Sequence, residues 1–252
     1  MVYLKSDAEI EKMKIAGRIL VLVFESLESL IKPGISTLDI DREVERIIRA
    51  EGAVPSFLNY GTPPFPASAC VSVNEAVVHG IPRADQILVE GDIVSVDIGA
   101  KLDGYHSDAA RTFPVGTISP EVAQLIRVTE ECFWKGFEQV KIGNRIGNIS
   151  HAVQEHAESF GYGVVRELVG HGIGRNLHEE PDVPNFGKGG RGIRIEPGLV
   201  IAVEPMINMG ARYVETAADK WTIVASDGRP SAHYENTIAV TPDGPILTTM
   251  RE

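Results

Sequence analysis

The chain has 252 residues, with 24 Lys plus Arg against 35 Asp plus Glu and a formal net charge of −11. That balance argues against a dedicated nucleic-acid binder, which needs a basic face to displace counterions, and against docking on an anionic membrane. With 43% hydrophobic and 23% charged residues the chain sits among globular rather than disordered proteins. The N-terminal run MVYLKSDAEIEKMK has no apolar signal-peptide core, and the run Ile19 to Phe24 falls far short of the ~20 residues of a membrane span. Cys70 and Cys132 form no CxxC pair, so a reducing cytoplasm is expected rather than a disulfide framework.

Taken in chain order, Ser6 with Glu9 is a capping-box pattern. Ile10, Met13, Gly17, Leu20, Val21, Phe24, Leu27 and Ile31 then recur at helical spacing until Pro33-Gly34 stops the run. A second helix is expected from Ser36 or Thr37 to Gly52. Residues 53–69 are rich in proline, glycine and aromatics and read as a loop. Short apolar runs at Val71 and Val73, Ile87 to Val89, and Ile93 to Ile98 read as strands. Ser119-Pro120-Glu121 opens a third helix reaching about Lys141, and a fourth spans roughly Ile149 to Phe160. Strands and turns follow from 162 onward. The order helix, helix, strands occurs twice, and Lys32-Pro33-Gly34 echoes Lys141-Ile142-Gly143. No low-complexity linker separates the halves, so one domain over 1–252 is expected, with two similar lobes of roughly 1–115 and 116–252.

Asp103-Gly104 is a two-residue hairpin signal between Ile93–Leu102 and the segment from Tyr105. With that turn, Asp97 faces Ala110 and Asp108 faces Gly99, so both acids share one face as diagonal neighbours, about 7 Å apart at the backbone. Converging carboxylates require a shared proton, a basic partner or a metal. Surface acids on a solvated hairpin are the plain alternative, but Asp97 follows a buried-looking Val94-Ser95-Val96.

In Gly170-His171-Gly172-Ile173-Gly174, glycines beside a histidine allow close backbone approach and unusual dihedrals. His178 follows seven residues after His171, beside Glu179 and Glu180. Imidazole is a common metal ligand and a natural acid or base. Glu204 ends the apolar run Leu199–Val203. Trp221–Ala225 and Ser231–Val240 read as a second hairpin around Ser226-Asp227-Gly228, with Ser231, His233, Glu235 and Thr237 on one face. A solvent-facing side is the commoner meaning of such alternation. Together Asp97, Asp108, Glu204 and Glu235 carry four charges, the formal complement of two divalent cations. An oxygen-rich set with one imidazole suits Mn, Fe or Co better than structural zinc, and two such ions suggest hydrolysis.

These residues resemble a type I methionine aminopeptidase: Asp97 with Asp108, the GHGIG-x3-H loop, AVEP around Glu204, HYENT around Glu235, and Val73-Asn74-Glu75 through Val78-His79-Gly80-Ile81-Pro82. The resemblance covers essentially the whole chain. It implies an α+β pita-bread fold, an antiparallel sheet with two pseudo-symmetric helix pairs on its outer face. It implies a pair of divalent ions (Mn, Fe or Co, with Zn and Ni as further candidates) at Asp97, Asp108, His171, Glu204 and Glu235. A metal-bridging water would be the nucleophile and Glu204 its proton acceptor. His178 would stabilise the carbonyl or tetrahedral oxygen, and His79 would contact the scissile nitrogen. Tyr60, Phe65, Cys70, Leu177 and Trp221 match family pocket positions, although 59–65 is longer than the usual stretch and Leu177 replaces an aromatic. Asn74 and Ser231 match a monovalent-cation site. The implied partners are peptide and nascent-protein N-termini with a small second residue. The ribosome is a further candidate partner, and a monomer is expected.

Rival readings are an Xaa-Pro peptidase of the same fold, or a non-catalytic pita-bread binding module. Prolidases carry a further N-terminal domain for which the 96 residues before Asp97 are expected to leave no room, and all five ligand positions are filled against the binding module. Gly187-Lys-Gly189-Gly-Arg-Gly192 fits G-x-G-x-x-G but lies between Pro184 and Pro197 without a strand-loop-helix frame. No G-x-S-x-G elbow occurs. Lys188, Arg191 and Arg194 read as a solvated basic loop rather than a ribosome contact. His106 and His233 are candidate supports for the ligands, with surface or packing roles as the alternative. His151 and His156 are expected to be exposed on the fourth helix.

Overall fold

A computed structural model describes residues 2–251. The helices are α1 (Asp7–Leu30), α2 (Thr37–Ala50), α3 (Pro120–Phe137) and α4 (Ile146–Ser159). The strands of the first half are β1 (Val54–Pro55), β2 (Ala69–Val73), β3 (Ala76–Val78), β4 (Ile93–Leu102) and β5 (Tyr105–Pro114). Those that follow α4 are β6 (Gly163–Val164), β7 (Gly170–Gly172), β8 (Glu179–Val183), β9 (Val200–Val203) and β10 (Met206–Asn208). The last are β11 (Val214–Thr216), β12 (Ile223–Ala225), β13 (Ser231–His233), β14 (Glu235–Thr241) and β15 (Gly244–Leu247).

The helix starts follow from their caps. Ser6 and Glu9 form the expected capping box, with the Ser6 N–H donating to Glu9 Oε2 at 2.9 Å. Ser36 and Asp39 form another, and Ser119 accepts from the Val122 N–H ahead of Pro120. The fourth helix begins at Ile146, earlier than its apolar pattern suggests, because the Asn148 side chain accepts from the Arg145 N–H.

One antiparallel sheet runs in the order β1-β4-β5-β14-β9-β7-β8, with β2 on β4 and β15 on β14. Its middle joint is β5 to β14, where Ala110 faces Glu235 and Ala109 faces Asn236, so the sheet continues from one half of the chain into the other. α1 and α2 cover the first half with Leu20, Val23, Leu27, Ile40 and Val44 on Val71, Val94, Val96 and Ile98. α3 and α4 cover the second, with Phe133, Ile146 and Ile149 on Ile201, Val203 and Ile238. Burying such side chains contributes roughly 1.5–3 kcal/mol each.

The two helix joints match bond for bond. Gly34 (φ 96°) donates to Leu88 O and Leu88 donates to Ile35 O; Gly143 (φ 92°) donates to Ile195 O and Ile195 donates to Asn144 O. Both glycines sit in the left-handed region that L side chains resist. This closure corrects one expectation. Ile87–Val89 is not a strand; Ile87 makes an isolated bridge to Ser36, because the backbone of Leu88 is spent on holding the joint.

The Asp103-Gly104 hairpin forms in the expected register, with both turn residues at positive φ (49° and 84°). The second expected hairpin does not. β12 pairs with β11 and β3, and β13 pairs with β10. Asp227 accepts from the Ala211 and Arg229 N–H groups, which turns the chain toward a different partner. The strand expected over 231–240 also breaks at Tyr234, whose N–H donates to Pro205 O.

Candidate active site

Asp97 projects from the middle of β4 and Asp108 from β5, with Asp97 opposite Ala110 and Asp108 opposite Gly99. Glu204 follows the last residue of β9, and Glu235 is the first of β14. Pro205 has no N–H to continue the ladder, so the strand breaks beside Glu204. Glu235 is only 2% exposed, which rules out the solvent-facing reading of its alternating segment.

The backbone around these acids is clamped from across the sheet. The Asp108 N–H donates to Thr237 Oγ1 at 3.0 Å and the same hydroxyl donates to Asp108 O at 2.8 Å. Arg111 donates to Glu235 O (2.5 Å) and Asn236 Oδ1 (2.7 Å), with its guanidinium 4.3 Å from the Tyr234 ring centroid.

His171 lies in β7. A Cβ on Gly170 would overlap Ala202 O, and one on Gly172 would overlap Glu180 O. Neither glycine has positive φ, so close strand approach alone requires them, and the expectation of unusual dihedrals is corrected there. His171 Nδ1 lies 2.8 Å from Gly172 O. The ring N–H that donates there must be Nδ1–H, which leaves Nε2 as the free lone pair. That Nε2 is 3.6 Å from Glu204 Oε1 and 3.8 Å from Asp108 Oδ2.

Ligand atoms of Asp108, His171 and Glu235 lie within 4.8 Å of one another, and so do those of Glu204, His233 and Glu235. Asp97 Oδ1, Asp108 Oδ1 and Glu235 Oε1 are buried with no hydrogen-bond partner. Burial pushes the carboxyl of Asp97 up to about 7 and that of Glu204 to about 8. Burial and then the neighbouring carboxylates push Asp108 and Glu235 up further. Desolvation also holds His171 down to about 3, as a neutral imidazole. Unpartnered oxygens and a free nitrogen lone pair fit hard or borderline divalent cations, whose charge would reverse the cost of ionising these acids.

A cavity of about 120 Å³ opens beside this set. Phe57, Phe65, Cys70 and Leu177 are buried in its walls, with Tyr60, His79, His178 and Trp221 around them. Phe65 packs edge-on against Trp221 with centroids 5.2 Å apart, and His79 stands edge-on to Trp221 at 6.1 Å. Gly80 leaves no space for a Cβ against Val71 O, and His79 holds φ at 59°, so its ring is aimed by a strained backbone. His178 Nδ1 lies 2.6 Å from Tyr60 Oη. His178 keeps an open edge to solvent, yet its surroundings displace enough water to lower its pKa.

Phe57, Arg111 and Thr112 escape sequence reasoning, as does the clamping role of Thr237. A lone aromatic in the 53–69 loop carries no periodic signal, and the clamps depend on which strand lies across the sheet. Asn74 and Ser231 meet through the Ser231 N–H and Asn74 O at 2.9 Å. The Asn74 side chain is engaged with Asp92 Oδ1 and the Ile93 N–H. His106 is buried and bonded to Ser56 Oγ at 2.9 Å, which makes it a packing residue away from the cavity. His151 is exposed, but His156 is half-buried and 2.8 Å from Glu131 Oε2, a correction forced by the packing of α3 on α4. The Gly187–Gly192 segment forms neither strand nor helix.

Four strand-borne carboxylates and an imidazole at the foot of a soft-walled cavity define a metallohydrolase architecture. The chain belongs to metallopeptidase family M24, whose sequence profile matches residues 11–242. It is 52% identical to a methionine aminopeptidase of Clostridium acetobutylicum over 252 residues, covering 100% of both chains. The crystal structure of methionine aminopeptidase from Thermotoga maritima superposes with a TM-score of 0.96 at 41% identity, again covering 100% of both. An Xaa-Pro dipeptidase from Bacillus anthracis matches less closely, with a TM-score of 0.79 at 26% identity, and this chain covers 62% of it. The fold is thus the expected α+β pita-bread arrangement. No described helix is long and apolar enough to cross a membrane.

Proposed function

We propose that this chain is a metal-dependent aminopeptidase that removes the N-terminal methionine from peptides and nascent proteins, preferring a small second residue. The observation that carries the reading is the small cavity ending beside unpartnered Asp97, Asp108 and Glu235 oxygens. A cavity of about 120 Å³ accepts one side chain, and Cys70, Phe65, Leu177 and Trp221 suit a flexible thioether. The full-length match to methionine aminopeptidases supports this reading over the Xaa-Pro alternative.

Asp97, Asp108, His171, Glu204 and Glu235 would hold two divalent cations, with Mn, Fe or Co suited to the donor set. Bound there, such ions supply the Lewis acidity that activates a water and polarises the scissile carbonyl. Glu204 takes the proton of the attacking water and returns it to the departing amine as the C–N bond breaks. His178 binds the carbonyl oxygen. Burial raises the Tyr60 phenol, so Tyr60 O–H donates to His178 Nδ1 and Nε2–H is left to face the substrate. His79, held near 4 by burial and therefore neutral, contacts the scissile nitrogen. The aromatic walls exclude water. The free, buried Cys70 and Cys132 suit the cytoplasm, and the chain is assigned to act there as one catalytic domain.

The test is release of the first residue from Met-Gly-X and X-Pro peptides after chelation and re-addition of Mn, Fe or Co. Metal-dependent methionine release from Met-Gly-X is expected. Preferential X-Pro cleavage would favour the alternative, and no metal-dependent release would defeat the reading.

A further inference from the structure

The second half of the sheet repeats the register of the first. In the first half Asp97 faces Ala110, and Asp108 lies two residues before Ala110 on the returning strand. In the second half Val203 faces Asn236 and Met206 faces His233, one continuous register that sets Glu204 opposite Glu235. His233 therefore stands to Glu204 as Asp108 stands to Asp97.

The hydrogen bonds repeat as well. Val115 donates to Asp92 O, and Val240 donates to Leu199 O, closing each strand pair at the same level. The Thr237 hydroxyl grips both the N–H and the C=O of Asp108. The Thr112 hydroxyl grips both the N–H and the C=O of His233, at 2.9 and 2.8 Å. Each threonine is thus reached from the opposite half and fixes the backbone of one member of the pair.

His233 is 1% exposed, and neither Nδ1 nor Nε2 has a hydrogen-bond partner. Its Nε2 lies 3.6 Å from Glu204 Oε2 and 4.0 Å from Glu235 Oε2. Those separations are too long for hydrogen bonds. Ligand atoms about 2.1 Å from a common ion stand roughly 3–4 Å from one another, and these fall in that range. His171 reaches Glu204 from the other side, 3.6 Å from Oε1. The Glu204 carboxylate thus has one imidazole near each oxygen.

We infer that His233 is a direct ligand of the cation pair through Nε2, so that this centre has six protein ligands and two imidazoles, one on each side of Glu204. The inference rests on the cation-site reading of the recess. Its chemistry points to a borderline divalent cation such as Co or Fe on the His233 side, since imidazole favours those over harder ions.

The experiment is proton NMR of the Co(II)-loaded full chain with ¹⁵N-labelled histidine, counting ring N–H signals carried far downfield by the through-bond contact shift that only a ligating imidazole shows. Co(II) affinity is followed by calorimetry on the same samples. Two shifted signals are expected, one lost in His171→Asn and the other in His233→Gln. His233→Gln should also weaken Co(II) binding ~10–100-fold at one site, in the range seen when groups around a metal are removed. A single signal that persists in His233→Gln, with unchanged Co(II) affinity, would overturn the inference and leave the centre intact. No shifted signal at all would instead remove the cation-site reading itself. The wild-type count does not depend on whether either variant folds.

Discussion

The two halves of the sheet share a scaffold and divide the chemistry. The helix joints at Gly34 and Gly143 close with the same backbone bonds, and both halves place an acid, Asp97 or Glu204, at the same level of a central strand. What differs is the company each acid keeps. Asp97 sits beside Asp108 and opposite the small Ala110, with Cys70 on its other side. Glu204 stands opposite Glu235, between His171 and His233. The repeated part is written in backbone bonds, which many sequences satisfy. The divergent part is written in side chains, and it turns two similar strand pairs into unlike walls of one recess. On the proposed reading the first half holds charge and the second also moves protons.

Glu204→Gln should lower kcat ~10³-fold, within the range for losing a general base, while metal analysis still finds bound cation. Asp97→Asn should instead act by lowering metal content. Near-wild-type kcat in metal-saturated Glu204→Gln would erase the distinction between the halves.

On stability, the acids of both halves should act together. Asp97 at about 7 and Glu204 at about 8 lie above their unfolded values near 4, so these acids bind more protons in the folded metal-free chain than in the unfolded one between those limits. Below about 6.5 the buried histidines, His171 near 3 and His79 near 4, act in the opposite sense because the unfolded chain binds their protons; above it only the acids act, and stability declines as pH rises through 7 to 8. Thermal melts of chelated protein from pH 7 to 8.5 should show a falling Tm, and saturating Mn should flatten the slope. A Tm that rises between pH 7 and 8.5 in chelated protein would contradict the burial argument for the acids.

His178→Ala should cost ~10²-fold in kcat, comparable to loss of one oxyanion donor, and Tyr60→Phe much less. Equal losses would show that the tyrosine does more than orient the ring. The pocket draws Phe65 from the first half and Trp221 from the second. Trp221→Leu should raise KM for Met-Gly-X peptides about tenfold with kcat retained, the pattern of lost uniform binding. The smallest contrast lies at the two joints. Ser36 caps α2 with its side chain and Arg145 has no such bond. Ser36→Ala should cost about 1 kcal/mol in denaturant unfolding, and Arg145→Ala less than about 0.5.

Much of this arrangement is legible in the amino-acid order. Asp103-Gly104 sets the β4–β5 register because only a tight turn suits it, and alternation then puts Asp97 and Asp108 together. The five proposed ligands and two pocket histidines are carried by motif resemblance, and the fold brings these side chains around one cavity. Other features depend on partners distant in the chain. Trp221–Ala225 looks like the mate of Ser231–Val240, but pairing is decided by which strand is presented across a loop, and β3 and β11 are closer claimants. Ile87–Val89 has a strand's composition, yet its backbone is used by a helix joint. The clamps from Thr112, Thr237 and Arg111 need the β5–β14 seam, which no local pattern encodes.

Side chains from both halves converge on one recess, where they are proposed to hold a cation pair. Anomalous diffraction from a crystal grown with excess Mn would locate such a pair. Two peaks inside the recess, each touched by oxygens or nitrogen of Asp97, Asp108, His171, Glu204 and Glu235, are the predicted result. Ordered carboxylates with no anomalous density between them, or Mn bound only elsewhere on the surface, would contradict it.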